Sequence, residues 1–284
     1  MTRKPIRIRT AALAEFDELA AFCAGRDHDA VTREIKRRRR QWLEEMSGHG
    51  LVLVVAIDPT PPAVIKRGNE KIAREELTLL ADGLVVGLLE YVPVETTWYP
   101  VDGDGYSFVD CLWVMPGYTG RGIGRELLTV VIREARRVAG GVATLAWRGV
   151  NPAASWSYMP APFFRKHGFE VVGEDGDRVL MAVSYGAKEK PRLLTTSVVP
   201  EAGWAFLCHP SCPASRWAAL EVEKTGIGSQ PEVAIIMARS RDEARARGAL
   251  FGLFRDGKVI LNRLAFGKDV QKALGLGDDD SATD

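Results

Sequence analysis

The segment VMPGYTGRGIGRELL, residues 114–128, places a glycine-rich turn between an apolar strand and a long amphipathic helix. Pro116 cannot donate to a strand ladder, so the strand is predicted to end before it. Gly120, Gly122 and Gly124 can adopt backbone angles that other residues avoid, and they let a ligand come close. Free amides and the helix dipole at the start of the helix favour an anion. The segment therefore predicts a mixed α/β fold with an anion site at a strand-to-helix turn.

The pattern of glycines argues against a dinucleotide site of the Rossmann type. The last glycine of G-x-G-x-x-G is absent after Gly120 and Gly122, and no acidic residue closes a strand about 20 residues later. Arg121 and Arg125 add positive charge, which favours a pyrophosphate ligand. The alternative is a glycine-rich connection that binds no ligand.

Length and composition limit the protein class. The 284 residues correspond to about two domains at the usual ~150 residues each. Lys and Arg number 38 against 37 Asp and Glu, a net charge of +1 that disfavours a nucleic-acid-binding protein. No apolar run approaches the ~18 residues of a transmembrane helix, and no signal peptide is visible, so no membrane partner is expected. Four cysteines are too few for a secreted disulfide framework, so a cytoplasmic location is expected.

Hydrophobic periodicity predicts alternating strands and helices in the first two thirds of the chain. Strands are predicted over residues 6–9, 51–57, 84–92, 107–114, 142–147, 169–172 and 179–183, and helices over residues 13–23, 30–46, 122–139 and 162–167. Residues 58–82 are too long for a simple loop and are interpreted as an insertion with a helical stretch at 70–80. The basic run KRRRR, residues 36–40, is interpreted as a solvated helix face.

A second unit follows a charged, proline-containing linker. Strands are predicted over residues 204–209, 232–237, 249–254 and 258–262, and helices over residues 213–224, 241–247 and 269–274. Cys212 precedes Pro213 at the first strand-to-helix turn, where the helix N-terminus favours a reactive thiolate. Cys208 lies four residues earlier, so both cysteines are redox candidates. The histidines and cysteines lack convincing metal-ligand spacing, and no metal is expected.

Several segments resemble known families. Residues 114–128 resemble the central motif of the GNAT acetyltransferase superfamily, with Gly122 and Gly124 on its glycines and Thr119 on the position usually held by Gln or Arg. FFRKHGFEVVGE, residues 163–174, is similar to the second signature of that superfamily, with Phe164 where Tyr is often found. The resemblance covers residues 5–185 and implies a mixed α+β sheet.

The second unit is similar to a thioredoxin-like α/β domain, with CPAS at residues 212–215 instead of C-x-x-C. Residues 87–114 and 251–260 resemble the YoaP-like family, in which a GNAT domain is fused to such a domain. This implies a GNAT domain at residues 1–186, a linker at 187–200, a thioredoxin-like domain at 201–276 and a disordered acidic tail at 277–284.

The GNAT resemblance implies acetyl-CoA as cosubstrate and a small-molecule or peptide amine as acceptor. The pantetheine arm would add to the strand ending at Val114, whose amide would polarise the thioester carbonyl, and the pyrophosphate would lie on residues 120–124. The predicted cofactor-binding residues are Val114, Met115, Thr119, Gly120, Arg121, Gly122, Ile123, Gly124, Arg125, Asn151 and Phe164.

Three side chains are candidates for proton transfer. Asp110 lies on the strand that leads to the cofactor, and strand alternation predicts that it faces the same way as Leu112 and Val114, with Cys111 opposite. Glu90 is a second candidate base; the alternative is a solvated edge carboxylate. Tyr158 is the candidate acid, and the alternative is an ordinary loop tyrosine.

Three functions therefore remain open at this stage. The first is an acetyl-CoA-dependent N-acetyltransferase that works by direct transfer. The second is a thiol-dependent redox or thiol-adduct protein that uses Cys212. The third is a CoA sensor without catalysis. The oligomeric state cannot be read from the pattern.

Overall fold

The chain divides into two compact units, which are described separately. The computed structural model describes residues 5–23, 29–67, 70–73, 77–138, 140–148, 159–176, 178–187, 189–194, 202–209, 211–225, 232–248, 251–261, 270, 273 and 274. The first unit comprises Met1–Thr97 and Val101–Leu194, and the second comprises Trp98–Pro100 and Thr195–Asp284. The main division falls inside the segment predicted as a linker.

The first unit is built on a mixed sheet. Its strands are β1 (Arg7–Thr10), β2 (Val52–Asp58), β3 (Val64–Arg67), β4 (Glu70–Ala73), β5 (Leu79–Leu80), β6 (Gly83–Pro93), β7 (Val101–Asp102), β8 (Tyr106–Val114), β9 (Gly141–Trp147), β10 (Glu170–Asp175), β11 (Arg178–Ser184) and β12 (Arg192–Leu193). The main sheet has the order β1-β2-β6-β8-β9-β11-β10, and β5 pairs with β6. The pairing of β8 with β9 is parallel, whereas the other pairs in this sheet are antiparallel.

Helices cover both faces of this sheet. They are α1 (Phe16–Ala20), α2 (Ala30–Ser47), α3 (Ile123–Val138) and α4 (Ala161–Arg165), and a 3-10 turn at Leu13–Glu15 precedes α1. The α2 helix begins at Asp29, whose side chain accepts a hydrogen bond from the Thr32 amide at 2.7 Å. A Cβ on Gly87 of β6 would lie 3.1 Å from Leu127 of α3, whereas Glu90, three residues on, contacts Arg39 of α2. Strand alternation therefore places α2 and α3 on opposite faces.

The strands β8 and β9 separate after a short stretch of pairing. Their register joins Tyr106–Val109 to Gly141–Thr144 and goes no further. Beyond it, Trp147 of β9 donates its amide to the Met159 carbonyl at 3.0 Å and forms a bridge with Pro160. The edge of β8 from Asp110 onward therefore faces an opening between the two strands.

A β-bulge at Asp110 changes the direction of the side chains on β8. Glu90 pairs with Cys111 and Tyr91 pairs with Val109, so Asp110 is the extra residue. The prediction that Asp110 and Leu112 face the same way, with Cys111 opposite, was wrong because it assumed unbroken alternation. Asp110 and Cys111 both interact electrostatically with Arg39 of α2, whereas Leu112 approaches Gly124 of α3.

Two details of the first unit differ from the sequence prediction. The predicted helix at residues 70–80 is wrong, because β4 forms a hairpin with β3 that pairs Ile72 with Ile65 and buries Ile65. Glu, Lys and Arg in this segment favour helices intrinsically, but the hairpin contacts override that preference. The pair β7–β12, held by an Arg192–Asp102 ion pair at 2.9 Å, was not predicted because two-residue strands carry no periodicity.

The second unit has a smaller mixed sheet. Its elements are β13 (Trp204–Cys208), α5 (Pro213–Thr225), β14 (Val233–Met237), α6 (Arg241–Ala246), β15 (Gly252–Arg255) and β16 (Lys258–Leu261). The strand order is β14-β13-β15-β16, with β13 parallel to β14 and antiparallel to β15. Most of the predicted helix at 269–274 and all of the predicted tail at 277–284 lie outside the described residues.

The close approach at Gly141 generates a prediction about stability. A Cβ on Gly141 would lie 2.4 Å from the Tyr106 ring and 2.5 Å from the Val183 carbonyl oxygen. Gly141→Ala should therefore lower the free energy of unfolding by about 2–3 kcal/mol, as overpacking of a core does. Gly124→Ala is the control, since its Cβ would meet its nearest neighbours at 3.4–3.6 Å. Thermal unfolding measures both; equal melting temperatures for the two variants would contradict the prediction.

Candidate active site

The glycine turn predicted from the sequence adopts an open, anion-binding geometry. Gly117, Gly120 and Gly122 have φ values of 89°, 75° and 81°, which favour glycine. Gly120 is exposed, and a Cβ there would meet no atom within 4 Å. The Glu126 amide donates to the Gly122 carbonyl at 3.1 Å, which is the first bond of α3. The amides of residues 123–125 therefore precede the helical ladder and are available to a ligand.

Positive charge accompanies these amides. Arg121 donates to the Gly117 carbonyl at 2.7 Å, and its guanidinium lies 4.6 Å from the centre of the Tyr118 ring. Tyr118 is itself held by a 2.8 Å hydrogen bond from its hydroxyl to buried Asp58. Arg125 is exposed at the start of α3. The turn thus combines amide donors with two guanidinium groups, as a phosphate site requires.

The opening between β8 and β9 is lined by backbone amides of β8. The Met115 amide donates to Val86 of β6 at 2.9 Å, so it faces away from the opening. The Leu112 amide lies 3.1 Å from the sulfur of Met159, which has a φ of 45° and is 2 % exposed. Because strand amides alternate, the Val114 amide faces the same side as that of Leu112. Leu112, which sequence reasoning did not select, thus joins Val114 at this edge.

The other predicted cofactor residues fall into three groups. Thr119 is exposed on the turn, and Gly124 faces the ring of Phe163 in α4. The side chains of Ile123 and Phe164 are buried in the core, with Phe164 packed on Phe169 at 5.5 Å, so only the Ile123 amide faces the turn. Asn151 and Tyr158 lie outside the described residues.

Asp110 is buried beside the opening. Its carboxyl is 6 % exposed and accepts a 2.9 Å hydrogen bond from the Thr97 hydroxyl. Burial raises the pKa of Asp110 to about 8; the Thr97 hydrogen bond opposes this rise, Glu90 adds to it, and Arg39 opposes it. A carboxyl that titrates near neutral pH in a protein interior is suited to proton transfer.

Glu90 forms a buried ion pair that the sequence did not reveal. Arg39 Nη2 donates to Glu90 Oε1, and the two side chains are 4 % and 2 % exposed. Burial raises the pKa of Glu90, and Arg39 opposes that rise. The interpretation of Glu90 as a solvated edge carboxylate is therefore wrong.

Arg39 also corrects the interpretation of the basic run. The other four members pair with carboxylates on their own or the preceding helix: Lys36 and Arg40 with Asp17, and Arg37 and Arg38 with Glu34. Arg39 points inward with the buried residues of α2, which include Ile35, Trp42 and Leu43. The sequence signal for this orientation is that Arg39 lies four residues after Ile35 and three before Trp42, which places the three residues on one face of the helix.

The cysteines of the second unit differ in exposure. Cys208 is 2 % exposed and packs in the core with Phe206 and Leu253. Cys212 is half-buried directly before α5, and its carbonyl accepts the Ser215 hydroxyl at 2.8 Å and the Ser215 amide at 3.0 Å. Of the two redox candidates, Cys212 is thus the one near the surface.

The described residues contain no group of three or more His, Cys, Asp and Glu side chains placed to hold a metal ion. Within the same residues, the helices are either too short or too polar to cross a membrane.

Comparison with known proteins identifies the part of the chain that holds this site. Residues 32–169 match the model of the acetyltransferase (GNAT) family. The uncharacterized N-acetyltransferase YoaP of Bacillus subtilis (strain 168) is 24% identical over 199 residues, which cover 66% of this chain and 76% of that protein.

Solved structures also match the chain. The PaiA N-acetyltransferase from Thermoplasma acidophilum, in complex with coenzyme A, is 15% identical with a TM-score of 0.40, over 64% of this chain and 100% of the other. YhbS from Escherichia coli, in complex with CoA, is 15% identical with a TM-score of 0.40, over 68% of this chain and 93% of the other.

The raised pKa of Asp110 generates a prediction about stability and pH. The folded protein keeps the proton on Asp110 up to pH about 8, whereas the unfolded chain releases it near the ordinary value of 3.8. Between these values the folded state binds more protons, so its stability falls as the pH rises, by about 1.4 kcal/mol per pH unit from this group. Asp110→Asn removes this contribution. The stability of the variant relative to that of the wild type should therefore increase as the pH rises from about 5 to about 8.

Melting temperatures across this pH range test the prediction. Asp104→Asn, at an exposed position before β8, is the control and should follow the wild type. A constant difference in melting temperature between Asp110→Asn and the wild type at all pH values would contradict the expected titration.

Proposed function

We propose that residues 32–169, which match the model of the acetyltransferase (GNAT) family, form an acetyltransferase domain, and that the protein transfers the acetyl group of acetyl-CoA to the amine of a small-molecule or peptide acceptor. One observation carries this proposal: the pairing of β8 with β9 ends at Val109, next to the buried carboxyl of Asp110, and β8 continues to the glycine turn that precedes α3. An anion site, a strand edge that β9 does not cover and a titrating group thus follow one another along one stretch of chain.

The glycine turn and the strand edge suit two parts of the cosubstrate. The amides of residues 123–125 and the guanidinium of Arg125 would bind the pyrophosphate. The amide-containing pantetheine arm would run along β8 as an added strand. The amide of Val114 would then polarise the thioester carbonyl, and it would stabilise the oxyanion that forms when the amine attacks.

Asp110 supplies the base that direct transfer needs. An amine is protonated near neutral pH and must lose a proton before its nitrogen attacks the thioester carbon. The ionised carboxylate of Asp110 accepts that proton, directly or through one water. The C–N bond then forms and the C–S bond breaks. The acylated nitrogen loses a second proton as it becomes the amide, and CoA leaves as a thiolate that takes up one proton, so the protons balance. Tyr158 remains the predicted donor of that proton.

The buried position of Asp110 favours catalysis over the sensor alternative. A sensor needs the phosphate turn and the strand edge, but it has no use for a buried carboxyl with a pKa of about 8 at the end of the opening. Burying such a group costs free energy, and perturbed carboxyls of this kind concentrate at sites of chemistry.

Calorimetric titration with acetyl-CoA tests the proposed binding mode. Gly120→Trp places a large side chain over the exposed turn, and it should weaken binding by about 100-fold because several charge-assisted hydrogen bonds are lost. Gly257→Trp is the matched control: its φ of 73° is close to the 75° of Gly120, and a Cβ meets no atom within 4 Å at either position.

The control should bind acetyl-CoA as the wild type does. Folded wild-type protein that does not bind acetyl-CoA would overturn the proposal. If the Gly120→Trp variant binds acetyl-CoA as tightly as the wild type does, the cosubstrate does not bind at the glycine turn.

We further propose that the second unit is a thioredoxin-like domain with a single surface thiol, Cys212. The strand order β14-β13-β15-β16, with β13 parallel to β14 and antiparallel to β15, supports this assignment. The position of Cys212 directly before the 13-residue helix α5 also supports it.

Alkylation with iodoacetamide tests the role of Cys212. Cys212 should be modified at least about tenfold faster than Cys208, because Cys208 is buried in the core and Cys212 lies near the surface at a helix start. Mass spectrometry measures both rates, and faster modification of Cys208 would contradict the assignment. The acetyltransferase activity of Cys212→Ser separates the two functions, since full activity excludes a thiol-dependent transfer.

A further inference from the structure

We propose that the acceptor amine also carries a carboxylate, and that Arg39 binds this carboxylate beside Asp110. The inference rests on the proposed acetyltransferase function and names the class of acceptor: amino acids and related zwitterions.

Only some of the hydrogen-bond donors of the Arg39 guanidinium have an acceptor among the described residues. Nη2 donates to Glu90, and the whole side chain is 4 % exposed. Nη1 is fully buried and has no hydrogen-bond acceptor within the part of the chain that the structure describes. A buried, charged donor without an acceptor costs free energy, so a ligand that supplies an anionic oxygen would be bound favourably.

This guanidinium lies in the same cluster as the proposed base. Arg39 lowers the pKa of Asp110 through its charge, and Glu90 raises it, so both lie within electrostatic range of Asp110. Cys111 and Cys23 also lie within electrostatic range of Arg39. All these groups lie on the α2 side of the sheet, opposite α3.

The rim of this cluster is open to solvent in part. Cys23 and Cys111 are half-buried, and so are Phe22 and Trp113, whose rings meet edge to face at 5.2 Å. An acceptor that entered past these groups would approach Asp110 from the face of β8 that carries Cys111, with its amine toward the base and its second polar group toward Arg39.

Charge balance selects a zwitterion. Below pH about 8 Asp110 holds its proton while Glu90 pairs with Arg39, so the cluster has no net charge before the acceptor binds. A zwitterion adds one ammonium and one carboxylate and preserves this balance, whereas a plain amine adds a positive charge and a phosphate monoester dianion adds excess negative charge.

Matched pairs of acceptors test the inference. The protein amino acids are compared with the amines that their decarboxylation gives, such as leucine with isoamylamine and tyrosine with tyramine. Binding to the protein with CoA present is measured by calorimetry, and acetylation is followed by CoA release. Amino acids should exceed their amines by about 10- to 100-fold in affinity and in kcat/KM, the value of one charge-assisted hydrogen bond.

Variants of α2 locate the preference. Arg39→Gln should reduce the preference to about twofold or less, mainly by raising KM for the amino acid. Arg38→Gln is the matched control, since Arg38 pairs with Glu34 on the exposed side of α2, and it should retain the preference. Arg39→Gln alone leaves Glu90 buried without its cation. The double variant, Arg39→Gln together with Glu90→Gln, removes both charges and therefore provides a folded comparison.

Three results would overturn the inference: no preference in the wild type, equal losses for amine and amino acid in the Arg39 variants, and binding of none of the compounds. The proposed acetyltransferase function is tested separately by the titration with acetyl-CoA. If the protein binds acetyl-CoA and acetylates plain amines, the acetyltransferase proposal stands although this inference fails.

Discussion

Backbone amides that face an opening in a sheet have no strand partner, and the active site is organised around that condition. The strands β8 and β9 pair for four residues on each side and then separate. At the start of the separation the bulge at Asp110 turns its carboxyl toward α2, and at the far end the chain leaves β8 for the glycine turn. The proposed strand-like arm of the cosubstrate would satisfy these amides at little cost because the edge is already formed. In the free protein the sulfur of Met159, a weak acceptor, lies at the amide of Leu112.

The second constraint is the low dielectric of the interior on the α2 side. One guanidinium, that of Arg39, lies near two carboxyls, and the three groups are each at most 6 % exposed. Glu90 therefore raises the pKa of Asp110, and Arg39 lowers it. The glycine turn begins α3 on the opposite face of the sheet. The proposed phosphate site and the proposed base thus have separate electrostatic environments.

The sequence predicted the parts of the site that depend on local rules. Glycine spacing and helical periodicity located the turn and α3 to within one residue, because these features come from backbone sterics and an amphipathic face. The orientation of Asp110 could not be predicted, since a bulge depends on how β6 and β8 pair. The role of Arg39 was missed because four neighbouring basic residues are solvated and paired, and its partner Glu90 lies 51 residues away.

The buried pair of Arg39 and Glu90 also restricts how the protein can change over time. Loss of either partner alone leaves an uncompensated charge in the interior, at a cost of about 3–5 kcal/mol, whereas replacement of both by apolar residues of similar size is often neutral. Substitutions at position 39 are therefore expected to be accompanied by substitutions at position 90. Lineages in which both residues have become apolar would keep the fold and the phosphate turn, and they would differ in the acceptors that they acetylate.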